Sequence, residues 1–127
     1  MTYLLDTNAF YWSMREPRKL SGRARRVCES PTVQRVVSVV SVWEILAKCA
    51  IRKMSVPNAE SELQSWIGYL TARVLPIEVP HAYAMYQLPL LHKDPFDRML
   101  VAQAVAEGLT LVTSDETLHR YPVKWVW

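Results

Sequence analysis

Five carboxylates stand where a fold could gather them: Asp6 ending "TYLLD", Glu44 in "SVWEIL", Asp94 and Asp97 in "HKDPFDRML", and Asp115 in "LVTSDE". Asp94 precedes Pro95, the pattern of an N-cap followed by proline at the first helical position. It is expected to start a helix and to support the site from there, with Asp97 carried one turn in. Each acid has an ordinary local use as well. Ser41-x-x-Glu44 has the form of a capping box, in which Glu44 returns a hydrogen bond to the N–H of Ser41. Asp97 suits the positive end of a helix dipole, while Asp115 and Asp6, the latter with Asn8, suit turns. Their joint placement points to chemistry. Carboxylates in close quarters raise one another's pKa unless something positive compensates, and oxygen-only donors suit Mg²⁺ or Mn²⁺. Such an ion activates water and neutralises charge developing on a phosphoryl group. Metal-dependent phosphodiester hydrolysis is the reaction this set would serve. His81, His92 and His119 are scattered, and no Ser or Cys lies in a nucleophile-elbow context, so acyl-transfer and thiol chemistry have no support.

The elements that must position these acids follow from the apolar patterning. Residues 2–6 and the β-branched run 35–40, "RVVSVV", read as interior strands. A weaker strand at 74–79 is interrupted by Pro76, which argues for an edge. "LTLVT" at 109–113 follows Gly108, and "VKWV" suits a last edge strand. From Ser41, Val42, Ile45, Leu46 and Cys49 recur at helical spacing. Residues 59–72 and 80–88 are further helices, and 95–107 is the strongest, running from the Asp94 cap to the Gly108 stop with Phe96, Met99, Leu100 and Val105 apolar. Alternating strands and helices predict a parallel sheet covered on both faces. The carboxyl ends of its strands then share one edge, where ligands bind at a topological switch point. On this map Asp6, Glu44, Asp97 and Asp115 all fall at that edge, with Glu44 in the first turn after the second strand.

A chain of 127 residues, half of them apolar, suits one domain spanning 1–127. Its formal charge of +3 is compatible with a polyanionic partner. The bias concentrates in Arg15, Arg18, Lys19, Arg23, Arg25 and Arg26 against the single acid Glu16, which is either a solvated helix face or a phosphate-contacting patch. Cys28 and Cys49 lack a CxxC partner or a histidine at metal-ligand spacing and read as reduced, buried thiols. With Asp6 interrupting the first apolar run and no stretch of 18 apolar residues, a soluble, cytoplasmic protein without a membrane span is expected. The tryptophans and tyrosines sit mostly at helical spacings, as core or dimer-interface packing requires.

Four blocks in order, "YLLDTNAFYW", "SVVSVWEILAK", "LPLLHKDPFDRMLVAQA" and "GLTLVTSDETLHRYPVKWVW", resemble the PIN-domain ribonucleases, and among them the VapC-type toxins of bacterial toxin–antitoxin pairs. The resemblance implies an α/β protein: a three-layer α/β/α sandwich around a central, mainly parallel four- to five-stranded sheet. It implies a Mg²⁺- or Mn²⁺-dependent endoribonuclease that forms a homodimer and meets a cognate antitoxin near its active site. The family's acids match Asp6, Glu44, Asp97 and Asp115. Asp6 and Asp97 are then the first direct metal ligands, Glu44 a ligand or the group orienting the attacking water, and Asp115 a ligand through water or to a second ion. Asn8 and either Ser114 or Thr113 match small polar positions that hold the cluster. Arg15, Arg18, Arg23, Arg25 and Arg26, with Lys48, Arg52 and Lys53, would contact RNA phosphates. Two other classes compete. An aspartate-based phosphatase commonly wants a second acid two residues after the first, where this chain has Asn8, and a non-catalytic RNA- or protein-binding domain would use the acids only as caps.

Overall fold

The alternation of patterns resolves, in a computed structural model describing residues 1–127, into β1 Thr2–Leu5, α1 Thr7–Arg15, α2 Gly22–Glu29, β2 Gln34–Ser38, α3 Val39–Ala50, α4 Ala59–Tyr69, β3 Arg73–Leu75, α5 Val79–Gln87, α6 Pro95–Glu107, β4 Thr110–Val112, α7 Glu116–His119 and β5 Trp125–Val126. The strands form one sheet of order β3-β2-β1-β4-β5, and every pairing in it is parallel. In the centre, Leu4 is registered with Val36 and Leu111, and Leu5 with Val37 and Val112.

That register sorts side chains by the period of two along a strand. Leu4, Val36 and Leu111 face one side, packing with Leu100, Val101 and Ala104 of α6 and with Leu118 and Tyr121. Leu5, Val37 and Val112 face the other, against Phe10 of α1, Val27 of α2, and Leu63 and Trp66 of α4. Each fully buried leucine or valine contributes about 1.5–3 kcal/mol, so both faces need helical cover. The result is the expected three-layer α/β/α sandwich, with five strands.

The boundaries differ from the sequence reading in instructive places. The run "RVVSVV" stops being a strand at Ser38, whose Oγ accepts from the N–H of Val40 at 2.9 Å and caps α3 there. Val39 and Val40 are helical despite their β-branched side chains, because a serine cap outweighs the small propensity difference. Consequently Glu44 lies in the second turn of α3, not the first, and the capping box at Ser41 does not form. The Ser41 hydroxyl instead accepts from Thr7 Oγ1 at 3.0 Å, joining α1 to α3. The weak strand at 74–79 shrinks to the edge strand Arg73–Leu75, ended by Pro76. Among residues expected on apolar helix faces, Leu46 and Val105 are exposed, and Cys49 is only half-buried whereas Cys28 is buried. Burial pushes the Cys28 thiol up to about 11, in keeping with an inert structural thiol.

Candidate active site

The order of strands places the switch point between β1 and β4, the neighbours reached by opposite directions of winding. There the N–H of Asp6 still donates to the carbonyl of Val112 at 3.0 Å across the two strands. Asp6 then turns the chain into α1 as its N-cap, one carboxylate oxygen accepting from the N–H of Ala9 at 2.7 Å. It is 5% exposed. Just beyond β4 the hydroxyl of buried Thr113 accepts from the N–H of Asp115 at 3.1 Å. Asp115 caps α7 through Oδ1, which accepts from Thr117 N–H at 2.8 Å.

The other acids arrive on helices. Asp94 caps α6 as expected, Oδ1 accepting from Phe96 N–H at 2.8 Å and from Asp97 N–H at 3.3 Å. Asp97 is thereby presented from the first turn. Edge-to-face packing of Trp43 against Phe96, with centroids 4.7 Å apart, holds α3 beside the start of α6. Glu44 on α3 is buried at 4% exposure. Its Oε2 accepts from Lys48 Nζ at 2.6 Å, and its Oε1 is buried without a hydrogen-bond partner.

These groups lie close enough to act on one another's charge. Burial, first, raises the carboxyl of Asp6 to about 6; the Ala9 N–H and the Thr113 hydroxyl oppose the rise, and the charges of Glu44 and Asp115 add to it. Asp97 is raised to about 7, chiefly by burial and then by Asp94, Glu44 and Asp6, with His92 opposing. The four acids expected from the sequence therefore share one field, and Asp94 lies within it while serving as the cap.

His92 is the member that the sequence reading missed. Its Nε2 lies 3.1 Å from Asp115 Oδ2 and 3.5 Å from Asp97 Oδ2. Its Nδ1 accepts from the N–H of Asp94 at 3.0 Å, which assigns the proton of the neutral ring to Nε2. His92 is thus a donor spanning two acids rather than a cation ligand. A buried pair sets its position. The Tyr121 hydroxyl accepts from the N–H groups of His92 at 2.9 Å and Leu91 at 3.3 Å and from Arg98 Nη1 at 3.2 Å. Arg98 also donates to the carbonyls of Pro89 and Met85. The only hint in the sequence is nearness, two residues before the Asp94 cap; spacing alone does not distinguish such a histidine from a solvated one.

Of the remaining expected residues, Thr113 is built into the site, Ser114 is half-buried beside it, and Asn8 points to solvent on α1. The arginines stand elsewhere. Arg23 and Arg26 line an open groove of about 520 Å³ with Tyr3 and Val33, at the amino ends of β1 and β2 and opposite the acids. Arg25 pairs with Glu29 at 2.8 Å, and Arg15 and Arg18 are exposed at the end of α1 and in the turn after it. The cation that does reach the acids is Lys48.

This donor set fits a hard divalent ion. It is made of carboxylate oxygens, one of them buried and unpartnered, and two of its acids are held protonated toward neutral pH by burial and then by the neighbouring acids. Carboxylate oxygens of Asp97 and Asp115 lie within 4.8 Å of one another.

A parallel sheet with acids gathered at its switch point defines a class, and the PIN domain family model matches residues 3–124. The chain belongs to the PIN-domain family. Among individual proteins it is 30% identical to Ribonuclease VapC22 of Mycobacterium tuberculosis over 95% of this chain and 94% of that one. Its fold is similar to that in the crystal structure of VapBC2 from Rickettsia felis bound to a promoter DNA fragment, with a TM-score of 0.77, 17% identity, and coverage of 100% and 99% of the two chains. It is also similar to FitAcB from Neisseria gonorrhoeae, with a TM-score of 0.70, 21% identity, and coverage of 98% and 96%.

Proposed function

We propose that this chain is a Mg²⁺- or Mn²⁺-dependent endoribonuclease that hydrolyses RNA phosphodiester bonds as the toxin of a toxin–antitoxin pair. The observation that carries the reading is the buried, unpartnered Oε1 of Glu44 among acids whose protons burial and mutual repulsion retain. Caps alone would need no such group, since a capping carboxylate is satisfied by the backbone it caps. Asp6, Asp97 and Glu44 are the residues that would hold the ion, with Asp115 joining from the edge, where one oxygen caps α7 and the other faces His92. A bound Mg²⁺ or Mn²⁺ supplies Lewis-acid activation of water and neutralises charge developing on the phosphoryl group. His92 keeps a proton at Nε2 between Asp97 and Asp115, and Thr113 holds Asp115 by its backbone.

Kinship with a protein named a ribonuclease and likeness to VapBC folds support RNA as substrate and a cognate antitoxin as partner. Exposed Val79, Tyr83, Tyr86 and Leu90 on and after α5 support a homodimer. Residues 1–127 then act as one PIN domain. With an RNA substrate it would act in the cytoplasm; no helix is long and apolar enough to cross a membrane. The α2 arginines, a strand's length from the acids, would take flanking phosphates of a longer RNA rather than the scissile one.

The test uses purified chain freed of antitoxin, incubated with RNA with and without Mn²⁺ beside Asp97→Asn. Cleavage should require Mn²⁺ and be lost in the variant. Metal-independent cleavage, or equal activity in Asp97→Asn, would overturn the reading.

A further inference from the structure

Glu44 divides its two oxygens between two environments. Oε2 is fixed by Lys48, one turn along α3, in the Glu-before-Lys order that suits i,i+4 pairing. Oε1 is buried and bonded to nothing. The side chain of Glu44 is 6% exposed while that of Lys48 is 41% exposed. A buried carboxylate without a partner carries a large desolvation cost, which a cation at 2.6 Å offsets. Bonded to a carboxylate of the acid cluster, the Lys48 ammonium lies beside the place an incoming divalent ion would take.

We propose that Lys48 is the resident counter-ion of the acid cluster, a positioning residue that confines Glu44 to offering one oxygen and holds divalent-ion affinity down while stabilising the metal-free fold. This rests on the metal-site reading above. A cation within a few ångströms of a divalent ion repels it, and one fixed oxygen of Glu44 is withdrawn from coordination. Removing Lys48 reverses both effects and leaves a more negative site with Glu44 unpaired.

Lys48→Met keeps the aliphatic stem and removes the charge, and Lys48→Arg keeps the charge. Calorimetric titration with Mn²⁺ and thermal melts in EDTA read the two consequences separately from cleavage. Lys48→Met should bind Mn²⁺ at least tenfold more tightly than the natural chain, melt lower in EDTA, and gain more in melting temperature on adding Mn²⁺. Lys48→Arg should restore all three toward the natural values. Mn²⁺ affinity in Lys48→Met that is unchanged or weaker, with the natural chain binding normally, overturns the counter-ion role alone. Failure of the natural chain to bind Mn²⁺ removes the metal-site reading and this inference with it. A Lys48→Met chain too unstable to titrate leaves Lys48→Gln as the second variant, with the same expected tightening and the same overturning result.

Discussion

Asp94 and Asp97 stand three residues apart at one helix start and do different work. Asp94 satisfies two backbone N–H groups, so Asp94→Ala should cost about 0.5–2 kcal/mol in denaturant unfolding, whereas Asp94→Asn, which can still cap, should cost little. Asp97 is a half-buried acid among acids. Asp97→Asn should abolish cleavage and leave the metal-free melting temperature unchanged or higher, because the amide removes a repelled charge. The pH dependence follows from the same residues. Asp6 and Asp97 titrate at about 6 and about 7 in the folded chain, above the ordinary 3.8, so between those values the folded state holds more protons than the unfolded one. Their contribution to stability is full below the ordinary carboxylate range and is lost as pH rises through about 7. Melts in EDTA should show the natural chain losing stability from pH 5 to pH 8 relative to Asp97→Asn, and a difference that does not change with pH would contradict the assignment. The pairing of these two acids was legible because proline after aspartate is a strong local signal. Glu44 was legible as an acid, but the turn of α3 on which it lies was not, because Ser38 and Ser41 offer rival caps and only packing selects between them.

At the scale of elements, the segment from Leu88 to Lys93 is anchored from inside by Tyr121 and Arg98. Tyr121→Phe removes the acceptor for two backbone N–H groups and one guanidinium nitrogen, each left buried or half-buried. Such losses cost about 1–3 kcal/mol, and here they also free His92 from its place beside Asp97 and Asp115. The expected outcome is a lower melting temperature with reduced cleavage, and NMR titration of the His92 ring should report a changed environment. Leu88→Ala, a packing loss in the same segment that spares the hydroxyl, should move stability more than the His92 signal. None of this was readable beforehand. Arg98 sits in "DRML" as an ordinary helical arginine, and its burial depends on carbonyls at Met85 and Pro89 that the chain brings round only after α5 is docked on α6.

At the scale of the molecule, one face of the chain remains apolar and solvent-facing. Val79, Tyr83, Tyr86 and Leu90 are each more than half exposed along and after α5. If this face closes the homodimer, the double variant Tyr83→Arg, Tyr86→Arg should sediment as a monomer with its far-UV circular dichroism unchanged. A natural chain that sediments as a monomer would remove the dimer from the reading. The charge distribution carries a lesson at the same scale. The arginine-rich stretch looked like a single basic surface in sequence, yet it lies at the amino ends of the strands, while the one lysine engaged with the acids is on α3.

The strands, the helices from α3 to α6, the two-sided burial of β1, β2 and β4, the caps at Asp94 and Gly108, and the candidate acids were legible as local pattern. Period two, period 3.6 and the chemistry of helix ends are properties of short stretches, which a sequence displays directly. Tertiary structure alone decided that β4 lies beside β1, and so that Asp6 and Asp115 meet. It also decided that His92 spans Asp97 and Asp115, and that one oxygen of Glu44 is bound to Lys48 while the other is left bare. These outcomes depend on contacts between residues far apart in the chain, and on burial that turns ordinary carboxylates into groups with raised pKa. Desolvation belongs to the packed molecule, not to any segment of it.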